Sequence, residues 1–404
     1  MSRSFFAPWR GLPTPVYTLL ALQIVQSSGS FVQPFLALLL TQNLHFDAAQ
    51  TGLFLTLNSI AMIPGGLWGG RLVDRWGRKR MLMASRTLAA LCLVPCAFLS
   101  GSLGMAFLLT ASSVFASFGF SAPPAMVTDL TPAARRQDAF SLLYLGHNLG
   151  FALGTTVAGF LFAHARNWLF WGETLVILFC VALLALFIPE TKPAADLEKE
   201  AQGAEAAHAG GLFAALGARP LLLVFCGLMA LVWLAYSQIW FGLPLWVNQV
   251  HGPEAGPPLY GVVMAFTAVV VLVVTPFLSR LSAGREPALV IAGGTVLLGL
   301  GFFLFLWASW VPVLFVAGVV LTVGEVLWAT GAPAYVANHS PVTHRGRFGS
   351  LLQALQGSGS TMGPWLGGQA SRAWGLAALW PWALVVNLTA GLGLVFLHRK
   401  GKSS

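Results

Sequence analysis

Gly70-Arg71-Leu72-Val73-Asp74-Arg75-Trp76-Gly77-Arg78-Lys79-Arg80-Met81-Leu82 decides how the rest of this chain is read. Six of these thirteen residues are charged, against 9% of the whole chain. The stretch sits between two apolar runs, residues 51–69 and 81–100, the second interrupted only by Arg86. Charge this dense between two membrane-length runs marks a short loop at a water interface. The loop has an acid, Asp74, and two glycines, Gly70 and Gly77, which a merely basic loop does not need.

Working outward, the 404 residues are 57% hydrophobic with a mean hydropathy of +0.77. A soluble chain carries about a quarter charged residues. This one cannot cover itself with polar surface, so its solvent is a bilayer. A spanning helix takes about 20 apolar residues, which leaves room for about twelve spans. The net charge of +9 does not point to nucleic acid, because the cations lie in short loops rather than on one face. With the N-terminus placed inside, 20 of the 22 Lys and Arg fall on the cytoplasmic side, Arg86 counted among them. Only Arg166 and Arg372 fall outside, so both termini are expected in the cytoplasm. Cys92, Cys96, Cys180 and Cys226 lie in apolar runs, with no metal-ligand spacing and no disulfide framework. No cleavable leader is read at the N-terminus, so the first span is expected to serve as the targeting signal.

In chain order the first six spans are residues 15–41, 51–72, 81–100, 105–128, 138–163 and 168–188. Span 4 is expected to end at Pro123-Pro124, with Asp129 at its inner end. A mixed-charge, Ala- and Gly-rich stretch follows, read as a cytoplasmic linker with a short surface turn at 211–216. The second six spans are 221–250, 258–281, 287–308, 312–336, 346–370 and 376–397. The expected organisation is a six-helix bundle over 1–189, a linker over 190–219 and a second bundle over 220–404. The halves repeat. A shift of 209 carries Ser141-Leu142-Leu143 onto Ser350-Leu351-Leu352, and Gly150, Gly154 and Gly159 onto Gly359, Gly363 and Gly368. Pro132 falls on Pro341 and Arg136 on Arg345.

The opening stretch resembles the loop between the second and third spans of the major facilitator superfamily, in Gly70, Leu72, Asp74, Arg75, Gly77, Arg78 and Lys79, with Val73 as the small apolar residue. The resemblance covers essentially the whole chain. It implies an all-α fold of twelve transmembrane helices in two pseudo-symmetric six-helix bundles that rock about a shared pocket. It also implies a gating role for Gly70, Asp74, Arg75, Gly77 and Arg78, with Arg78 paired to Asp129 and Asp74 capping span 11. Thr322-Val323-Gly324-Glu325, Pro333, Pro341 and Arg345-Gly346-Arg347 resemble span 10 and its loop in bacterial drug–proton antiporters. Two features depart from that branch. Phe151 and Thr155 interrupt the span 5 glycine pattern, which is complete only in span 11, and Phe115 stands where many members carry an arginine.

Glu325, in the middle of span 10, is the leading chemical residue. A lone carboxylate at that depth is costly to keep ionised, so it takes up a proton readily and in its bare form attracts a cation. Asp129 and His147 are further proton-coupling candidates; a lone membrane histidine also serves as a packing donor. Gln23, Gln26, Ser30 and Gln33 recur at helical spacing and share a face of span 1, either lining the substrate path or joining helices. Asn148, Trp233, Tyr236 and Trp328 join Gln26, Ser30, Gln33 and Glu325 as candidate substrate contacts, the aromatics suiting flat or cationic compounds. No nucleotide loop, nucleophile elbow or zinc-type cluster is read, so no enzyme, cofactor or metal is expected. The reading is a monomeric multi-pass carrier of a bacterial inner membrane, with a small-molecule substrate, protons and the lipid bilayer as partners and no nucleic acid. Its expected work is proton-coupled efflux of small amphipathic or cationic compounds. A carrier of a defined nutrient, and more remotely a sensor that does not transport, are the alternatives.

Overall fold

The structure is a computed structural model that describes residues 9–99, 101–132, 135–191, 220–282, 284–339 and 345–403. Among these residues it is helical throughout, with no strand. The linker from residue 192 on, the turn at 211–216 and the Pro341 turn lie outside the described residues. The first half contains α1 (Thr14–Ser28), α2 (Val32–Asn43), α3 (Ala48–Trp76), α4 (Arg78–Cys96), α5 (Leu103–Phe118), α6 (Ala122–Leu130), α7 (Arg136–His164) and α8 (Asn167–Phe187). The second contains α9 (Pro220–Tyr236), α10 (Gly242–Ser282), α11 (Pro287–Leu304), α12 (Val311–His339), α13 (Arg345–Trp374) and α14 (Leu379–Ser403).

These helices make twelve rods. Nine stretches are long and apolar enough to cross a membrane, one of them the 62-residue Leu221–Ser282. That stretch bends at Gly252, whose φ of 81° suits glycine, and Pro253 follows. It therefore counts as two rods, the second starting at the bend rather than at Pro258. The charged α4 and the glycine-rich α13 complete the set.

Two spans expected to be continuous are broken. Span 1 stops at Gly29 and restarts at Val32, so Gln23 and Gln26 stand on a different helix from Gln33. Span 4 breaks at 119–121. Pro123 and Pro124 do not end it; they open α6, where a missing N–H costs nothing because first-turn donors have no helical partner.

By contacts the chain forms two units, one of residues 1–45 and 57–202, the other of residues 46–56 and 203–404. In the first, α1 packs on α7 and α8, and α4 on α5 and α8. Glycines set the approach: a Cβ at Gly150 would overlap the Ile24 carbonyl, and one at Gly154 would sit 2.7 Å from the Ser27 carbonyl oxygen. In the second unit α9 packs on α13 and α14, and α11 on α12 and α14. Here Gly359 lies against the Ala230 carbonyl and Gly363 against Ser237. The 209-residue shift therefore carries helix contacts as well as letters from one unit to the other. The segment at 46–56 completes the second unit. Gly52 abuts the Pro364 carbonyl, and the Thr56 hydroxyl donates to the Thr361 carbonyl at 2.8 Å.

Candidate functional site

The charged stretch folds as the end of α3, a one-residue turn and the start of α4. Gly77 makes the turn with a φ of 102°, a value that disfavours any side chain. The first turn of α4 is capped from a distance. The Glu190 carboxylate accepts from the Lys79 N–H at 3.0 Å and the Arg80 N–H at 3.3 Å, while Lys79 Nζ donates to the Ala185 carbonyl at 2.7 Å. Composition placed Glu190 in the linker; its contacts are with α4. Arg78 is buried between two acids, 3.3 Å from Asp74 and 3.2 Å from Asp129. Its Nε and Nη1 find no aligned acceptor among the described residues, so the pairing is charge attraction rather than a directed hydrogen bond. The Asp74 side chain is 65% exposed, that of Asp129 24%. Arg75 is exposed at the end of α3. A Cβ at Gly70 would meet nothing, whereas Gly69 lies 2.5 Å from the Phe118 carbonyl oxygen on the same measure.

In the second unit the structure brings together four candidates read from sequence. Glu325 on α12 and Tyr236 at the end of α9 are hydrogen-bonded, the phenol donating to the carboxylate. Trp233, one turn before Tyr236, and Trp328, one turn after Glu325, close an aromatic trio. Ring centroids are 5.4 Å apart for Trp233–Tyr236 and Trp233–Trp328 and 5.9 Å for Tyr236–Trp328, all edge to face. The indole N–H groups of Trp233 and Trp328 are buried without an acceptor among the described residues. Close by, where α9 tightens into a 3-10 turn at Ser237–Ile239, the Gln238 amide donates to the Gly363 carbonyl at 2.9 Å.

In the first unit the candidates separate. His147 lies in the seam between α7 and α1, its Nδ1 2.9 Å from the Ser27 hydroxyl and 3.3 Å from the Gln23 amide. Asn148 turns back to donate to the Tyr144 carbonyl at 2.9 Å. Gln26 lines a small pocket with Gln23 and Arg86. Ser30 and Gln33 line a separate cavity of about 370 Å³ with Arg86, Ser112, Ser113 and Glu173. Glu173 holds the broken span 1. Its Oε2 accepts from the Phe31 N–H at 3.0 Å and the Val32 N–H at 2.7 Å, the free donors at the start of α2.

Residues 18–305 match the sequence model of the Major Facilitator Superfamily. The chain belongs to that superfamily. This facilitator is 24% identical over 378 residues to the uncharacterized MFS-type transporter YttB of Bacillus subtilis (strain 168), covering 93% of this chain and 92% of that one. It is 23% identical over 349 residues to the Na(+), Li(+), K(+)/H(+) antiporter of Planococcus maritimus, covering 80% and 81%. Among solved structures, peptide transporter POT in complex with sulfate superimposes with a TM-score of 0.77 at 16% identity, over 98% of this chain and 96% of that one. That likeness is one of fold. The facilitator is thus a multi-pass membrane carrier, two six-helix repeats of the superfamily fold.

Sequence reasoning missed two residues of the facilitator's first unit. Arg86 was counted with the loop cations, yet it stands midway along α4 and lines the cavity. Glu173 is a candidate from sequence only as one of three embedded acids, with Asp129 and Glu325, and nothing in its spacing assigns it a role. The signal for both was present: a lone cation in one apolar run and a lone acid in another, each too costly in lipid to stand without a partner or a cavity.

Proposed function

We propose that this chain is a secondary active transporter that exports small amphipathic or cationic compounds in exchange for protons, by alternating access. It works in the inner membrane of a bacterium, as a monomer, with both termini in the cytoplasm and the 1–189 and 220–404 bundles joined by the 190–219 linker. The observation that carries this reading is the Glu325 carboxylate, bonded to Tyr236 and set beside the Trp233–Tyr236–Trp328 trio. Aromatic faces attract an organic cation, and the carboxylate neutralises it. A proton and a cation then compete for one acid, which is what exchange requires. The two unpaired indole N–H groups offer donors to a ligand acceptor. The name of the Planococcus relative, an antiporter that exchanges alkali cations for protons, supports coupling to protons. Asp74, Arg75, Arg78, Gly70, Gly77 and Asp129 are assigned to the gate, the Arg78 ion pairs supporting this. Glu325 leads proton coupling, with Asp129 and His147 secondary. Gln26, Ser30, Gln33 and Asn148 remain proposed substrate contacts. Asn148 has the weakest support, since its amide is engaged by its own helix.

The test is uptake into everted vesicles under an imposed pH gradient. Wild type is expected to concentrate an organic cation such as ethidium, and Glu325→Gln to leave it at the level of empty vesicles. Accumulation that ignores the gradient, or survives the substitution, would end the proton role. A second reading, a carrier of a defined organic solute, is favoured by the polar lining of the first unit's cavity, Ser30, Gln33, Ser112 and Ser113.

A further inference from the structure

Arg86 is the unspent group of the first unit. Its guanidinium carries five N–H donors and no acceptor. Among the described residues it makes no ion pair within 4.0 Å, the three such pairs belonging to Arg78 and Arg135. Nor does it donate a hydrogen bond to any described residue. Glu173 and Cys180 act on it electrostatically, without closing to contact. Glu173 does not need Arg86 to balance it, because its Oε2 already takes two backbone N–H groups at the start of α2. The serines near Arg86 are also engaged: Ser112 donates to the Ala89 carbonyl at 2.9 Å and Ser113 to the Leu109 carbonyl at 3.0 Å.

The cavity that Arg86 lines is of ligand size, about 370 Å³, in the range of small-molecule sites. Its walls are mixed, Ser30 and Gln33 standing beside Leu36, Leu93, Leu109 and Phe120. A planar cation with free donors, set beside an apolar wall, is a receptor for a planar anion. The fork of a guanidinium matches the two oxygens of a carboxylate, and two parallel charge-assisted hydrogen bonds form where none exists in the protein alone.

We propose that Arg86 anchors the anionic group of a small amphipathic organic acid, whose apolar body fills the cavity of the first unit. This site is separate from the Glu325 trio and goes beyond the cation-for-proton reading. The ligand is a monocarboxylate of about one ring in size. Glu173 acts as a positioning residue: it holds the break in span 1 that forms one wall, and its charge opposes a second acid. Neutralising it therefore tightens anion binding.

The test uses the full chain in phosphatidylcholine nanodiscs, with benzoate as the anion, benzyl alcohol as its neutral counterpart and benzyltrimethylammonium as a cation that reports on Glu325. Wild type is expected to bind benzoate and not benzyl alcohol. Arg86→Gln weakens benzoate by about tenfold or more, and Arg86→Lys, which keeps charge without the fork, by less. Glu173→Gln strengthens it, and Glu325→Gln leaves it unchanged while weakening the cation. Three results would overturn the proposal: no benzoate binding by wild type, equal binding of benzyl alcohol, or an Arg86→Gln protein that binds benzoate as wild type does. If Arg86→Gln fails to fold, the Arg86→Lys protein and the contrast between benzoate and benzyl alcohol on wild type decide. A repeat in phosphatidylglycerol nanodiscs identifies the source of the anion. Benzoate displaced by that lipid would mean that a headgroup occupies Arg86, and the organic-acid form would fall. Loss of cation binding alone would count against the Glu325 reading and leave this one standing.

Discussion

The two units share a scaffold and differ in where they place charge. In both, one helix of the repeat lays a glycine ladder against the backbone of another: Gly150 and Gly154 on α1, Gly359 and Gly363 on α9. The charges within the spans, Arg86 and Glu325, do not repeat. The 209-residue shift carries Arg86 onto Thr295, a fully buried hydroxyl that donates within its own helix to Ala292. It carries Ala116, on the wall of the first cavity, onto Glu325. Each unit therefore has a polar centre where the other has a small or neutral residue. At the seam of α1 with α7 and of α9 with α13, where backbones touch, the glycines stay alike in both copies. Positions that face space are free to diverge, and there the chemistry differs.

The sharpest way to break this comparison is at the charges. Glu325→Gln is expected to abolish gradient-driven uptake in everted vesicles, while Thr295→Ser, at the position matching Arg86, leaves it near wild type. If Thr295→Ser also abolished uptake, the second unit would have polar chemistry at the site that the comparison calls neutral.

Next come the ladders. Gly150→Val and Gly359→Val each drive a side chain into a carbonyl and are expected to cost about 1–3 kcal/mol or more. Both should lower the thermal midpoint of the purified protein to a similar degree; a silent member would end the repeat at the level of contacts. A smaller effect separates the two breaks. Glu173→Ala removes the acceptor at the start of α2 and is expected to cost about 1–2 kcal/mol, a typical loss for a cap. Gln238→Ala removes one neutral hydrogen bond to Gly363 and is expected to cost about 1 kcal/mol. The reverse order in thermal midpoint would mean that the carboxylate is not what holds the first break. Last is the pair of loop glycines, of which Gly70 is expected to show the smallest effect of all. Gly77→Ala must hold a side chain at positive φ, costing about 1–2 kcal/mol, whereas Gly70→Ala meets open space and is expected to stay within about 0.5 kcal/mol. A larger loss at Gly70 would show that its neighbours come closer in another state of the transport cycle.

Much of this was legible beforehand because a bilayer leaves few choices. Every backbone group in it must bond internally, so long apolar runs can only be helices; the charged stretch at 70–82, expected as a short loop, is instead helical on both sides of Gly77, because the one glycine at positive φ makes the whole turn. In sequence Glu325 stands out as a lone embedded acid and Trp233, Tyr236 and Trp328 as candidate aromatic contacts, residue by residue; that the four side chains stand together is visible only in the structure. What escaped the sequence depends on contacts far apart in the chain. The break in span 1 at Gly29 is sustained by Glu173, more than 140 residues away, so helical spacing alone could not show that Gln23 and Gln26 stand on a different helix from Gln33. Arg86 was counted by charge, and a count of loop cations has no way to notice that one of them lies half-way along a helix. The prolines at 123–124 were read as a stop, since without the break at 119–121 nothing marks them as a beginning.

Glu190 gives the chain leading to the second unit a mechanical property. That strand of backbone leaves α8 and is moored, three residues past the helix end, to the opening turn of α4 through Lys79 and Arg80. The backbone that leaves α8 is thus tied at Glu190 to the base of the helix that carries Arg78 and Arg86, so the end of one span anchors the start of another.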